Sequence, residues 1–214
     1  MKYKYLLFDW DGCLAKTAEV WLDAYVKVFA TYGVNPTLEE IVSKVFGDWE
    51  GPAKLGIPDN DEFFEKMMPI IDKGIETVGL YPGAKEMLEE SRARGARIAL
   101  VSSSVRRHLD MAFANNEIKD YFEIIISGED VEKHKPDPEV IYKALDFFKA
   151  DKSEAVIIGD TKSDLLAGKN AGIDSILFYP ESHKILYDKK TLLEFQPTHV
   201  ISELGEILDL LNPQ

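Results

Sequence analysis

The sequence has only one cysteine, no long apolar run and no excess of basic residues. Cys13 alone cannot form an internal disulfide, so the fold of these 214 residues must depend on a packed core. No cleavable apolar leader and no run of membrane-spanning length is visible. The net charge of −13 disfavours nucleic acid or an anionic membrane as the main partner, because both attract basic surfaces. We therefore expect a cytoplasmic protein that binds neither nucleic acid nor membrane.

Six short apolar runs alternate with segments of helical pattern. They lie at residues 3–8, 96–101, 122–126, 155–159, 175–179 and around 198. These runs are rich in β-branched residues without regular polar alternation, which is typical of strands covered on both faces. The alternation predicts an α/β fold with a Rossmann-like parallel sheet and helices on both of its faces.

Residues 15–79 interrupt this alternation with helical patterns and no convincing strand. One helix is predicted over residues 17–32, a second begins with a Thr37/Glu40 capping box, and a third follows within residues 59–78. The segment is too long for an ordinary crossover between strands. We therefore predict an inserted all-helical subdomain at residues 15–79 and an α/β core made of residues 1–14 and 80–214.

Polar side chains follow four of the predicted strands. Ligands of an open α/β sheet bind outside the carboxyl ends of its strands, so these side chains are candidates for one site. In chain order they are Asp9 and Asp11 in DWDG, the serines at 102–104, Lys135 in KHKPDP, and Asp160 and Asp164 in GDTKSD.

The aspartates have both a catalytic and a structural interpretation. In extended chain Asp9 and Asp11 share a face, and a hard cation such as Mg²⁺ would relieve their repulsion. Asp160 and Asp164 would share one face if a helix starts at Asp160. The structural alternatives are a turn at Asp11-Gly12 and a helix cap at Asp160.

The serine run and the lysine are similarly ambiguous when taken singly. Ser102 and the backbone N–H groups after it can form an anion site before the next predicted helix, or the serine can simply cap that helix. Lys135 precedes Pro136, which keeps it out of helical geometry, but a lysine in this context is more often plain solvated surface.

Taken together, the motifs resemble the haloacid dehalogenase-like superfamily, in its phosphatase branch. FDWDGCL corresponds to the family's DxDGT-type first motif, Ser102 after RIALV to the second, Lys135 in KHKPDP to the third, and IIGDTKSDLLAGKNAG to the fourth. They follow the family's order. The helical insert is similar to the cap of the phosphoglycolate phosphatase and β-phosphoglucomutase type. Cys13 is a departure, since threonine is more frequent at that position of the family.

The resemblance implies an enzyme that hydrolyses the phosphate monoester of a small metabolite. It makes Asp9 the nucleophile that forms an aspartyl-phosphate, and Asp11 the general acid and then the general base. Ser102 and Lys135 would hold the phosphoryl oxygens. Gly12 and the backbone N–H of Ser103 would complete the phosphate site.

The same resemblance implies a magnesium site and a role for the cap in selectivity. Asp9, the backbone carbonyl of Asp11 and Asp160 would bind Mg²⁺, with Asp164 as a further direct or outer ligand. In the glycine-rich loop at residues 45–58, Trp49 or Lys54 is expected to contact the leaving group. Packing of Trp49 between the helices of the insert is an equal alternative.

Several other functions share part of this pattern. A dehalogenase of the superfamily lacks the second aspartate, whereas Asp11 is present. A phosphomutase of the β-phosphoglucomutase type uses the same core and stays open. A phosphonate hydrolase needs a Schiff-base lysine in the insert, and neither Lys16, Lys27 nor Lys54 stands out.

A non-catalytic phosphate-binding or signalling protein is the alternative from another class. A signalling receiver carries its acceptor aspartate after the third strand, and an inactive binding protein would lack the nucleophile or a metal ligand. The sequence leaves both the identity of the phosphate ester and the choice between monomer and homodimer open.

Overall fold

The computed structural model describes residues 1–46 and 48–212 of the chain, which divides into two compact units. The larger one, the α/β unit, contains Met1–Lys16 and the chain from Gly79 onwards. The smaller one, the helical unit, contains Thr17–Val78. No helix within the described residues is long and apolar enough to cross a membrane.

Six parallel strands form one sheet within residues 1–16 and 79–212, as the apolar runs predict. Along the sheet their order is β3-β2-β1-β4-β5-β6. Their bounds are β1 Tyr5–Phe8, β2 Arg97–Val101, β3 Ile124–Ile126, β4 Ala155–Gly159, β5 Asp174–Phe178 and β6 His199–Ile201. All five residues of β4 are buried, as expected for a strand that is covered on both faces.

The register of the central strands brings their carboxyl ends level. Phe8 of β1 pairs with Leu100 of β2 on one side and with Ile158 of β4 on the other. Because β2 and β4 flank β1, the residues that follow these three strands emerge next to one another. The position where the strand order reverses is therefore also the position where the polar motifs meet.

Six helices accompany the sheet among the described residues of the α/β unit. They are α4 Ala84–Ala93, α5 Arg106–Asn116, α6 Glu139–Phe148, α7 Lys162–Ala171, α8 Lys189–Leu193 and α9 Ile207–Leu210. The apolar stripe of α6, from Val140 to Phe148, packs into a core cluster with Leu7, Val101 and Ile157 from the sheet. Burial of each such side chain stabilises the fold by about 1.5–3 kcal/mol.

Three α-helices lie in the described part of the helical unit: α1 Thr17–Thr31, α2 Leu38–Lys44 and α3 Asn60–Glu76. The predicted capping box is confirmed, since the Glu40 N–H donates to Thr37 Oγ1 at 3.2 Å and the Thr37 N–H donates to Glu40 Oε2 at 3.1 Å. The core of the unit is aromatic, with the rings of Phe29 and Phe63 at a centroid distance of 4.7 Å. The loop that follows α2 includes Gly47, which lies outside the described residues.

Candidate active site

Asp9 and Asp11 lie at the end of β1, where the chain enters a tight turn that starts at Trp10. The Asp9 N–H continues the ladder by donating to Ile158 O at 2.9 Å, and its side chain is buried. The backbone N–H groups of Leu14 and Ala15 both donate to Trp10 O, which closes the turn. The ring of Trp10 points away and packs against Phe113. The turn is therefore present together with the acidic pair, so the structural and the catalytic interpretations of this motif do not exclude each other.

Gly12 is required at this turn for two reasons. Its φ of +76° lies in the left-handed region, which other residues adopt at a cost. In addition, a Cβ at this position would lie 2.4 Å from Asp160 Oδ2. The missing side chain thus allows the first motif to approach the carboxylate that follows β4.

The loop after β4 has a different geometry from the one that the spacing of its aspartates suggests. Helix α7 begins at Lys162 with Thr161 as its N-cap, so the prediction of Asp160 and Asp164 on one helix face is wrong, and so is the helix-cap alternative for Asp160. Asp164 completes the capping box: its Oδ2 accepts from Thr161 N at 3.1 Å and from Thr161 Oγ1 at 2.6 Å. The turn, rather than a helix face, brings the two carboxylates together.

Lys135 lies between two buried carboxylates. Its Nζ donates to Asp9 Oδ1 and to Asp164 Oδ1, each at 2.6 Å, and its side chain is 4% exposed. Burial lowers the pKa of Lys135, but the charges of Asp164 and Asp9 more than offset this and raise the pKa overall. The lysine is thus a fixed cation in the site and not solvated surface. The peptide bond from Lys135 to Pro136 is cis.

The serine run contacts Asp11. Ser102 is buried and its Oγ lies 3.4 Å from Asp11 Oδ2, whereas Ser104 Oγ donates to the same oxygen at 2.6 Å. Helix α5 has Val105 as its N-cap, without a side-chain hydrogen bond, so the serines do not cap it. Ser102 Oγ accepts instead from the Ser104 N–H at 3.0 Å, which shapes the loop. Ser103 is exposed beside them.

Ser104 belongs to the predicted serine run, but the sequence prediction assigns it no role of its own. The signal was present in the run of three serines, but the strand boundary favoured its first member. The side-chain direction in the loop after β2, which spacing alone does not fix, decides which hydroxyl lies closer to Asp11.

Three buried carboxylates form a candidate metal site. Oxygen atoms of Asp9, Asp160 and Asp164 all lie within 4.8 Å of one another, and both oxygens of Asp160 are buried with no hydrogen-bond partner in the described part of the chain. Burial raises the pKa of Asp9 to about 7, although the Lys135 ammonium opposes this. Burial, followed by the charges of Asp164 and Asp9, raises the pKa of Asp160 well above its ordinary value.

These residues fit a divalent cation of the hard type. An unpartnered buried carboxylate is costly, and a cation with oxygen ligands removes that cost. Among the described residues, the carboxylate of Asp11 is not part of this three-residue cluster, and the contribution of its backbone carbonyl stays a prediction.

The segment after β5 supplies two further side chains that no motif indicated. His183 Nδ1 lies 3.8 Å from Asp160 Oδ2. Tyr187 is partly buried near the same group, and burial and then the charge of Asp160 raise the pKa of its phenol. Both residues lie more than twenty positions after Asp160, in a stretch without a recognisable pattern.

Cys13 lies in the turn after β1, and its thiol is shielded from solvent. Its side chain is fully buried, its Sγ lies 3.5 Å from Ile158 O, and burial raises the pKa of the thiol. A thiol of this kind stays protonated and unreactive in the native protein.

The two residues predicted to select the substrate belong to the helical unit. Trp49 is 57% exposed, and one face of its ring stacks on Phe64 with centroids 4.1 Å apart and an interplanar angle of 11°. Lys54 Nζ pairs with Asp48 Oδ2 at 2.5 Å on the surface. Trp49 is therefore packed on one side and available on the other.

Known proteins are similar to this chain over almost all of its length. The sequence profile described as haloacid dehalogenase-like hydrolase matches residues 6–178. A phosphorylated carbohydrates phosphatase of Thermotoga maritima is 29% identical over 95% of this chain and 99% of that protein. The pyrophosphatase PpaX of Bacillus cereus is 25% identical over 99% of this chain and 98% of that protein.

A solved structure from Lactobacillus plantarum shows the same fold. It carries a provisional assignment as a phosphoglycolate phosphatase, is 25% identical, and superposes with a TM-score of 0.81 over 99% of this chain and 100% of that one.

Proposed function

This chain belongs to the haloacid dehalogenase-like hydrolase family as a phosphoric monoester hydrolase, and from that premise we propose that it acts on a small metabolite through a phosphorylated Asp9. The observation that carries the proposal is the arrangement around Asp9. Its carboxylate contacts the buried ammonium of Lys135 and lies within 4.8 Å of oxygens of Asp160 and Asp164. Such an arrangement suits phosphoryl transfer, which depends on positioning and on neutralising oxygen charge.

In the first step an Oδ atom of Asp9 attacks phosphorus and the ester P–O bond breaks. Asp11 gives its proton to the departing oxygen, which leaves as an alcohol. In the second step Asp11 takes a proton from water as the water oxygen attacks phosphorus, and the Asp9–phosphorus bond breaks to release phosphate. The hydrogen bond from Ser104 Oγ supports this role by holding Asp11 in one orientation.

Lys135, Ser102 and the backbone N–H of Ser103 hold the phosphoryl oxygens in both steps. The ammonium of Lys135 is already fixed by two carboxylates, so little side-chain entropy is lost when it binds phosphate. Gly12 keeps the first motif close enough to Asp160 for all of these groups to act on one phosphorus atom.

We assign Mg²⁺ to Asp9, Asp160 and the backbone carbonyl of Asp11, with Asp164 as a direct or outer ligand. When bound, the ion neutralises phosphoryl charge and reduces the repulsion between substrate and carboxylates. The unpartnered oxygens of Asp160 are the support for this assignment in the protein itself.

We propose that residues 15–79 serve as a cap that selects the substrate, with Trp49 and Lys54 as contacts for the leaving group. The exposed face of Trp49 supports a role in binding an apolar or ring-shaped surface. The relative named as a phosphorylated carbohydrates phosphatase makes sugar phosphates the first class to test, and the pyrophosphatase makes pyrophosphate the second. We expect this activity to be cytoplasmic.

The proposal is tested by steady-state hydrolysis of p-nitrophenyl phosphate with Mg²⁺ and with EDTA. The Asp9→Asn variant should lose at least about 1,000-fold in rate, as removal of a covalent nucleophile generally does. Asp174→Asn is the matched control. Asp174 is the first residue of β5, so it lies at the amino ends of the strands, opposite the carboxyl ends that carry the candidate site. Equal rates for wild type and Asp9→Asn would overturn the mechanism.

A sugar phosphate substrate then separates hydrolase from mutase. Release of inorganic phosphate in step with substrate loss supports hydrolysis, whereas conversion to an isomeric sugar phosphate without net phosphate release would identify a phosphomutase.

A further inference from the structure

His183 lies directly behind Asp160 and takes part in none of the steps above. It belongs to the short 3-10 turn Glu181–Ile185 that follows β5, and it is fully buried. Its Nε2 lies 2.8 Å from the hydroxyl of Tyr81, and its Nδ1 lies 3.8 Å from Asp160 Oδ2. An imidazole ring thus lies next to the carboxylate of Asp160, which is a candidate metal ligand.

The imidazole is held in this orientation by aromatic rings. Four rings pack against it at steep angles, with centroid distances from 5.6 to 6.3 Å. They belong to Tyr81, Phe178, Tyr179 and Tyr187. Nδ1 has no hydrogen-bond partner among the described residues, and neither oxygen of Asp160 has one. Nδ1 and the carboxylate of Asp160 therefore face each other across 3.8 Å, and the phenol of Tyr187 also lies close enough to this carboxylate for Asp160 to raise its pKa.

The contact between Nε2 and the hydroxyl of Tyr81 is compatible with either ring tautomer, because a hydroxyl can donate or accept, so the carboxylate of Asp160 distinguishes the two. If Nε2 carried the proton, the lone pair of Nδ1 would face the carboxylate of Asp160, and two buried acceptors would oppose each other without a proton between them. If the hydroxyl donates to Nε2, the proton lies on Nδ1 and points towards Asp160. Only the second tautomer turns a donor towards the carboxylate, although 3.8 Å is longer than a hydrogen bond.

We propose that His183, with its proton on Nδ1, is a positioning residue that orients the carboxylate of Asp160 for the divalent cation. The N–H faces one carboxylate oxygen at 3.8 Å and attracts it by charge rather than through a hydrogen bond, which leaves the other oxygen for the ion. Ligand residues of metal sites are commonly fixed by a neighbouring hydrogen-bonding group, whose loss weakens metal binding by about 10–100-fold. The inference rests on the proposed function, because it requires Asp160 to be a metal ligand.

The test measures Mg²⁺ binding by calorimetry on the full chain without substrate. His183→Phe keeps a ring of similar size but removes the donor, and it should weaken Mg²⁺ affinity by about 10–100-fold. His183→Asn places an amide N–H near the position of Nδ1 and should recover part of the affinity. Tyr81→Phe releases the tautomer and should lie between wild type and His183→Phe.

His199→Phe is the matched control, since His199 Nε2 also faces a tyrosine hydroxyl, that of Tyr3 at 3.2 Å, but lies on β6. It should bind Mg²⁺ like wild type. Wild-type binding together with unchanged affinity in His183→Phe would overturn this inference and leave the proposed function standing. No Mg²⁺ binding by wild type would overturn the metal site of the proposed function, and this inference with it.

A spectroscopic measurement on wild-type protein keeps the inference testable if a variant fails to fold. The ¹⁵N chemical shifts of the His183 ring, recorded with Mg²⁺ present, report the tautomer directly. We expect Nδ1 to carry the proton and Nε2 to be unprotonated. The opposite tautomer would overturn the role assigned to Tyr81 and to the Nδ1 proton.

Discussion

Replacing Lys135 by methionine tests how strongly the buried carboxylates of the site depend on one cation. The lysine contacts Asp9 and Asp164 at 2.6 Å each, and the three side chains are 4%, 7% and 1% exposed. Methionine has a similar volume, so the substitution removes the charge without opening a large cavity. Two carboxylates would then be left buried without their cation, and loss of one partner from such a pair costs about 3–5 kcal/mol.

The assay is urea unfolding at pH 8 in EDTA, followed by circular dichroism. Lys135→Met should lower the free energy of unfolding by about 3–5 kcal/mol, and Mg²⁺ should restore part of it. The matched control is Lys27→Met. Lys27 also contacts an aspartate at 2.6 Å, but the two side chains are 58% and 52% exposed.

An exposed pair of this kind is worth about 0.3–0.5 kcal/mol, so the control should barely change the unfolding curve. A loss below about 1 kcal/mol for Lys135→Met would refute the reasoning, because the carboxylates would then be stable in the fold without their cation.

Three further predictions concern the turn, the cation and the helical unit. Gly12→Ala should abolish most phosphatase activity, because its Cβ would lie 2.4 Å from Asp160 Oδ2, whereas Gly172→Ala, at the same φ of +76° but in open space, should lose stability without losing activity. In the metal-free protein the pKa of Asp9 is raised from 3.8 to about 7, so the stability that its proton contributes is complete below pH 4 and is lost as pH rises through 7. The increase in melting temperature on adding Mg²⁺ should therefore be larger at pH 8 than at pH 5.5, and equal increases would contradict this. Trp49→Ala should change the relative rates across a panel of phosphate esters by about tenfold while p-nitrophenyl phosphate turnover stays within a few-fold, and an unchanged profile would remove Trp49 from substrate selection.

The sheet and the grouping of most residues of the candidate site were predictable because both depend on short-range sequence features. An apolar run such as the one ending at Phe8 indicates a buried strand, and in a parallel sheet the residues after such runs must meet at one edge. Asp9, Asp160 and Lys135 could therefore be grouped although 126 positions separate Lys135 from Asp9. The capping box at Thr37 was predictable for the same reason, since all of its atoms belong to one turn.

The remainder depends on geometry that spacing does not determine. The start of α7 was misplaced because Asp160 and Thr161 are both good N-cap residues, and only the fold decides that Thr161 pairs with Asp164. Ser104 has no assigned role in the sequence prediction, because the path of the loop after β2 decides which hydroxyl contacts Asp11. His183 has no motif around it, and its contact with Asp160 arises entirely from the packing of a later turn against the sheet.

The central claim is that Asp9 carries the phosphoryl group, and chemical trapping tests it most directly. Wild-type protein is mixed with ³²P-labelled phosphate ester and Mg²⁺, quenched in acid within a single turnover, digested and analysed by mass spectrometry. The account predicts a labelled acyl phosphate on the peptide that contains Asp9, and no label in Asp9→Asn. A label on another residue, or undiminished turnover by Asp9→Asn, would contradict it.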